Sequence, residues 1–240
     1  MPVLSREEFD AIEFDAAASG DHQTAARRMS KLAVIGTQTE AMPRSEAFLR
    51  AGEQWLLADD PAAAASGFRL AMADGGPVFV DPRVPLARAL FLLGKTAEAQ
   101  SLLDNLKAEG RRDPRMCDLV AELLVERSDL NEALDWATAG VEMCLARRAP
   151  DGTPTAPGGT PTAPGGTPTA PGGTPTAPGG TPTAPDGIHA AADTNGAADG
   201  NGAAASDSEA ELRLLLSLRY RIRNDLGLPE DSYDALLDEA

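Results

Sequence analysis

The sequence predicts an all-α protein: helix-turn-helix units stacked into a solenoid, a C-terminal capping helix, and a long disordered Pro/Gly/Thr/Ala-rich insert. Three observations carry this. Small and apolar residues recur at helical spacing through residues 45–147, and the pattern repeats at steps of 35 and 34 residues, from Ala64 to Ala99 to Ala133. Residues 149–206 hold 11 of the 19 prolines and 13 of the 23 glycines, with one large aliphatic residue, Ile188, and no aromatic, lysine or arginine. Such a segment cannot bury enough apolar surface to offset the entropy of ordering it. Beyond it, Leu215, Leu218, Ile222 and Leu226 return to helical spacing. The expected division is a repeat domain over 1–148, a disordered linker over 149–206, and C-terminal helices over 207–240 packing on the repeat domain.

In the first clear unit, Leu49, Gly52, Trp55 and Leu56 precede Asp59-Asp60-Pro61, and Ala64, Phe68 and Ala71 follow. Pro61 suits the first turn of a second helix. In the second unit, Leu86, Ala87 and Leu90 lead to Gly94-Lys95, then Ala99, Leu103 and Leu106. In the third, Val120, Ala121 and Leu124 lead to Ser128-Asp129-Leu130, then Ala133, Ala137 and Gly140. Two antiparallel helices joined by a short turn approach closely only where one offers Gly or Ala to the other. Gly52, Ala87 and Ala121 supply that residue on the first helices, and Ala64, Ala99 and Ala133 on the second. Pro77, Pro82 and Pro114 break the helices between units.

On these residues, 45–147 resembles three tetratricopeptide (TPR) repeats. A weaker fourth copy lies upstream, with Gly20-Asp21-His22 at the turn, Ala25 at the crossing, and Met29 and Leu32 beyond. Its connection through Ile35–Pro43 is longer than the repeat allows. Only Trp55 and Phe68 fill the aromatic slots usual in the family.

The insert contains GTPTAPG at Gly152, Gly159, Gly166 and Gly173, and a fifth copy at Gly180 ends in Asp186. Paired prolines joined by Gly-Gly read as short polyproline-II pieces with swivels, a linker rather than a rod. After it, Ser206 or Ser208 with Glu209 or Glu211 can form a capping box for a helix over 207–226. Gly227 is the expected stop, and Pro229 is expected to open another short helix with Tyr233, Leu236 and Leu237. Arg213, Arg219, Arg221 and Arg223 are expected on a polar outer face. RYRIRNDLGLPED resembles the tail of actinobacterial TPR proteins, some of which carry a SEC-C zinc motif. That motif is absent, so the resemblance implies no zinc.

Net charge is −16: −7 over 1–148, −4 over 149–206 and −5 over 207–240. No basic cluster exceeds a pair such as Arg27-Arg28, which argues against a nucleic-acid partner and against anionic membranes. No apolar run is long enough to span a membrane, and MPVLSREEFD lacks the flank and core of a signal peptide, so a cytoplasmic protein is expected. Cys117 and Cys144 read as small buried hydrophobes. His22 and His189 lie far from both in sequence, so no zinc set is expected. DTNGAADGNG fails as a calcium loop, since counting from Asp199 places Ala204 sixth and Ala210 twelfth. There is no G-x-x-x-x-G-K-[ST], H-E-x-x-H or G-x-S-x-G. The expectation is no cofactor and no enzyme.

The TPR resemblance implies binding on the concave surface of the first helices. Transferred by the alanine register, the family's contact positions fall on Glu46, Leu49, Glu53, Leu56 and Leu57 in the first clear unit. They fall on Asp81, Val84, Arg88, Phe91 and Leu92 in the second, and on Arg115, Asp118, Glu122, Val125 and Glu126 in the third. Leu49, Glu53, Leu56, Val84, Arg88, Phe91, Asp118 and Glu122 are the expected partner contacts. Leu49 and Glu53 stand where the family's carboxylate clamp has Lys and Asn, so an apolar strip with an acidic rim is expected instead. It would hold an amphipathic, partly basic segment of another protein. Burial of Leu49, Leu56, Val84 and Phe91 by the tail helix or by the N-terminal segment is the alternative for these side chains. For the whole chain the alternative is a structural or regulatory subunit that homo-oligomerises, or joins an enzyme, through its C-terminal helix.

Overall fold

The computed structural model describes residues 2–110, 113–148 and 200–237, with side chains of the last segment from Ser208 onward. The five GTPTAPG-type copies and most of the expected linker lie outside the described residues. Among the described residues are nine α-helices and no strand: α1 (Arg6–Ser19), α2 (His22–Ile35), α3 (Arg44–Leu57), α4 (Pro61–Asp74), α5 (Arg83–Leu92), α6 (Thr96–Glu109), α7 (Pro114–Glu126), α8 (Leu130–Arg148) and α9 (Gly200–Asp225). A 3-10 turn covers Asp234–Leu237. Except between α6 and α7, helices adjacent in the chain pack closely on one another, in an arrangement of repeated helical hairpins.

The repetition is visible in the backbone. Asp59, Gly94 and Ser128 take the left-handed conformation, at φ 57°, 71° and 62°. After each, the next amide reaches back five residues: Asp60 N to Trp55 O, Lys95 N to Leu90 O and Asp129 N to Leu124 O, all 2.9 Å. These are Schellman turns closing α3, α5 and α7 at the repeat step. α9 ends the same way, with Gly227 at φ 66° and Leu228 N bonded to Arg223 O at 3.0 Å. α8 packs on α9 as α2 does on α3 and α4 on α5, so α9 occupies the place of a further first helix.

Two of the second helices, α4 and α2, start on side-chain caps, whereas α6 starts at Lys95 without one. The Asp60 carboxylate accepts from Ala63 N ahead of Pro61, and Asp21 accepts from Thr24 N in the upstream copy. The crossing residues Ala64, Ala87, Ala99, Ala121 and Ala133 are all 0% exposed. At Gly52 the approach is closer still, since a Cβ there would lie 2.5 Å from Phe68 Cε1. A Cβ on Gly140 would lie 2.8 Å from Leu215 Cδ2 and 2.9 Å from the Cys117 Cβ, so α7, α8 and α9 meet at that point.

The long connection after α2 has a use. Thr37 bridges to Val3, with Leu4 N on Thr37 O and Thr37 N on Pro2 O, both 2.8 Å. Leu4 is thereby buried to 1% exposure and joins the core.

Three expectations at the C-terminal end need correction. α9 begins at Gly200, ahead of 207, so Ser206 and Ser208 lie inside the helix rather than at its start. The short helix expected from Pro229 is a 3-10 turn that starts at Asp234 rather than at the proline and takes in Leu236 and Leu237 but not Tyr233. Arg219 and Arg223 are not outer-face residues, for their side chains are 4% and 12% exposed and turn inward to Asp231 and Asp234. Arg213 and Arg221 are exposed as expected.

Candidate functional site

The first helices α1, α3, α5, α7 and α9 share a face, as the pairs between them show. Arg50 of α3 reaches Asp10 at 2.6 Å and Glu13 at 2.5 Å on α1, and Arg88 of α5 reaches Glu126 of α7 at 2.7 Å. Glu53 of α3 lies within the field of Glu13, Glu46, Arg50 and Arg115. Asp118 of α7 lies within that of Glu122, Glu211, Arg115 and Arg221. Carboxylates outnumber guanidinium groups along this face, and two more of the latter are committed besides Arg88. Arg50 serves Asp10 and Glu13, and Arg115 sits 3.9 Å over the Phe79 ring.

Crowding of like charge in a partly dry groove has a measurable consequence. Burial, then Glu13 and Glu46, push the Glu53 carboxyl up to about 7. Burial, then Glu122 and Glu211, push Asp118 up to about 6. Both values lie above those of the unfolded chain, so the folded protein holds more protons between them. These two groups therefore lower its stability as pH rises toward 7, and a cation brought to the face relieves the loss.

The expected apolar strip divides. Leu49 and Val84 are 1% and 4% exposed and belong to the core. Leu56 is half-buried against the core, and so is Phe91, which carries the Arg127 guanidinium 4.5 Å over its ring. Arg88 is half-exposed and Glu122 exposed. The open apolar groups are Leu57 and Leu92, the last residues of α3 and α5, at 61% and 63% exposure, and Phe79 at 67%. Phe79 was illegible in the repeat pattern because it lies in the loop before α5, where no helical register applies. Its amide donates to Glu46 Oε2 at 2.8 Å, which ties the ring to the acidic face.

Other candidates are occupied structurally. His22 Nδ1 lies 2.9 Å from Gln54 Oε1 at the α2–α3 contact. Cys117 and Cys144 are buried and form no disulfide, and burial followed by Glu211 raises the Cys144 thiol to about 11, so it stays protonated. A cleft of about 560 Å³ beside the α2–α3 and α4–α5 loops is lined by Thr39, Glu40, Arg44 and Asp74 among others. The Thr39 hydroxyl already donates to Leu4 O and accepts from Met42 N. Among the described residues no helix is long and apolar enough to cross a membrane.

The chain matches no known family model, no curated protein and no solved structure.

Proposed function

We propose that the chain is a TPR-like interaction module whose first-helix face holds a basic, amphipathic segment of another protein. The supporting observation is the row Glu46, Glu53, Asp118 and Glu122, in which Glu53 is raised by burial, Glu13 and Glu46, and Asp118 by burial, Glu122 and Glu211. A lysine or arginine from a partner would take the place of the missing counter-charge. Leu57, Leu92 and Phe79 would cover its apolar side. On this reading the protein acts by binding, without catalysis or cofactor.

The test uses a labelled synthetic helix of leucine and lysine as probe. Glu53→Lys with Glu122→Lys is expected to weaken its binding by about tenfold or more, chiefly through slower association, and to flatten the salt dependence. Asp104→Lys with Asp135→Lys, on the second helices α6 and α8, changes net charge equally and should leave affinity within about twofold. Equal effects of the two pairs would mean that overall charge, not this face, attracts the probe.

A further inference from the structure

α1 and α9 each bury one face and turn the other to solvent, and the two open faces are opposite in charge. On α1 the buried face is Phe9, Ile12 and Ala16. Across from it, Glu7, Phe14 and Asp15 are exposed between the small residues Ala11 and Ala18. Phe14 is 75% exposed. Residues 7–18 contain no basic residue. On α9, Leu212, Leu215 and Ile222 are buried, and the opposite face exposes Arg213, Leu214, Tyr220 and Arg221. Leu214 is 63% and Tyr220 38% exposed. Residues 212–223 contain no acidic residue.

We propose that the α9 face of one molecule docks on the α1 face of a second copy, head to tail. Two α1 faces repel one another, and so do two α9 faces, which leaves the mixed pairing as the favourable one. Ala11 and Ala18 let a helix approach closely on either side of Phe14, which then packs against Leu214 and Tyr220. α9 already packs on α8 and α7 through its other face, in the place of a further first helix. A helix from a second copy continues the same stacking. Donor and acceptor patches differ, so the contact is heterologous and does not close at two copies.

Sedimentation of the full chain tests this. Mean mass is expected to rise with concentration past that of a dimer and to fall in about 1 M salt. Arg213→Glu with Arg221→Glu, and separately Glu7→Arg with Asp15→Arg, should each weaken association by about tenfold or more. Mixing the two variants should restore it, because each then meets an oppositely charged face. Circular dichroism confirms that both remain helical, and Phe14→Ser supplies a charge-neutral variant that should also reduce association. A monomer at every concentration up to about 100 μM, a mass that stops at the dimer, or variants that associate like wild type would each overturn the proposal.

Discussion

Arg219→Ala is expected to destabilise the protein by about 3–5 kcal/mol, the usual cost of stripping one partner from a buried ion pair. The guanidinium is 4% exposed and every edge is used. Nε donates to Thr138 Oγ1 at 3.1 Å, Nη1 to Asp231 Oδ1 at 2.9 Å, and Nη2 to Asp231 Oδ2 at 2.5 Å. Asp234, itself 7% exposed, lies 3.3 Å away, and the Tyr233 ring centroid 4.5 Å. Removing Arg219 leaves Asp231 and Asp234 to share Arg223 as their counter-charge, at 2.9 and 3.3 Å, and frees the segment that ties α9 to α8. Arg219→Lys should lose much of the same stability, because a point charge cannot reproduce the fork. Arg219→Met combined with Asp231→Asn should recover part of it, since Asp234 then keeps Arg223 as its counter-ion and no uncompensated charge remains. Thermal and denaturant unfolding followed by circular dichroism give these differences. An Arg219→Ala variant that melts like wild type would show that the clamp is not what holds the tail.

Phe68→Ala should cost about 3–5 kcal/mol, as large-to-small changes of buried aromatics do. Phe68 is 0% exposed and its ring occupies the space that a side chain at Gly52 would need. The same contact predicts a coupling. Gly52→Ala places a methyl against the ring and should destabilise the wild-type protein by about 1–3 kcal/mol. In the Phe68→Ala background that penalty should largely vanish, and the difference is read from a double-mutant cycle. Additive effects would mean that α3 and α4 do not cross at this pair.

Much of the helical arrangement was legible because it is written in local chemistry. Pro61 opens α4 as its first-turn proline, and Pro114, expected only to break the helix before it, also opens α7 behind the Asp113 cap. The crossing alanines follow from how near two helix axes can come, and all five are fully buried. Arg219 was misplaced because charge predicts exposure until a distant acidic pair is folded against it, and Asp231 and Asp234 lie a turn and a loop away. Pairing of Pro2–Leu4 with Thr37 has no periodicity to announce it. On the candidate face, Glu53, Asp118 and Glu122 were found by register alone. Leu49 and Val84 were also selected by register, but register places a residue on a helix without saying what packs over it. Arg50 and Glu13 were missed because their partnership joins helices of different hairpins, across 37 residues.

The account turns on whether Glu53 and Asp118 meet a partner's positive charge, and the pH profile of probe binding asks this directly. The leucine–lysine helix keeps its charge from about pH 5 to about pH 8, so only the protein titrates over that range. Glu53 and Asp118, raised to about 7 and about 6, lose their protons within it. Binding measured by fluorescence anisotropy should therefore strengthen severalfold as pH rises, with protons released on association. Glu53→Gln with Asp118→Asn should bind more weakly at pH 8 and vary less with pH. Superimposable pH profiles for the wild type and this variant would contradict the account.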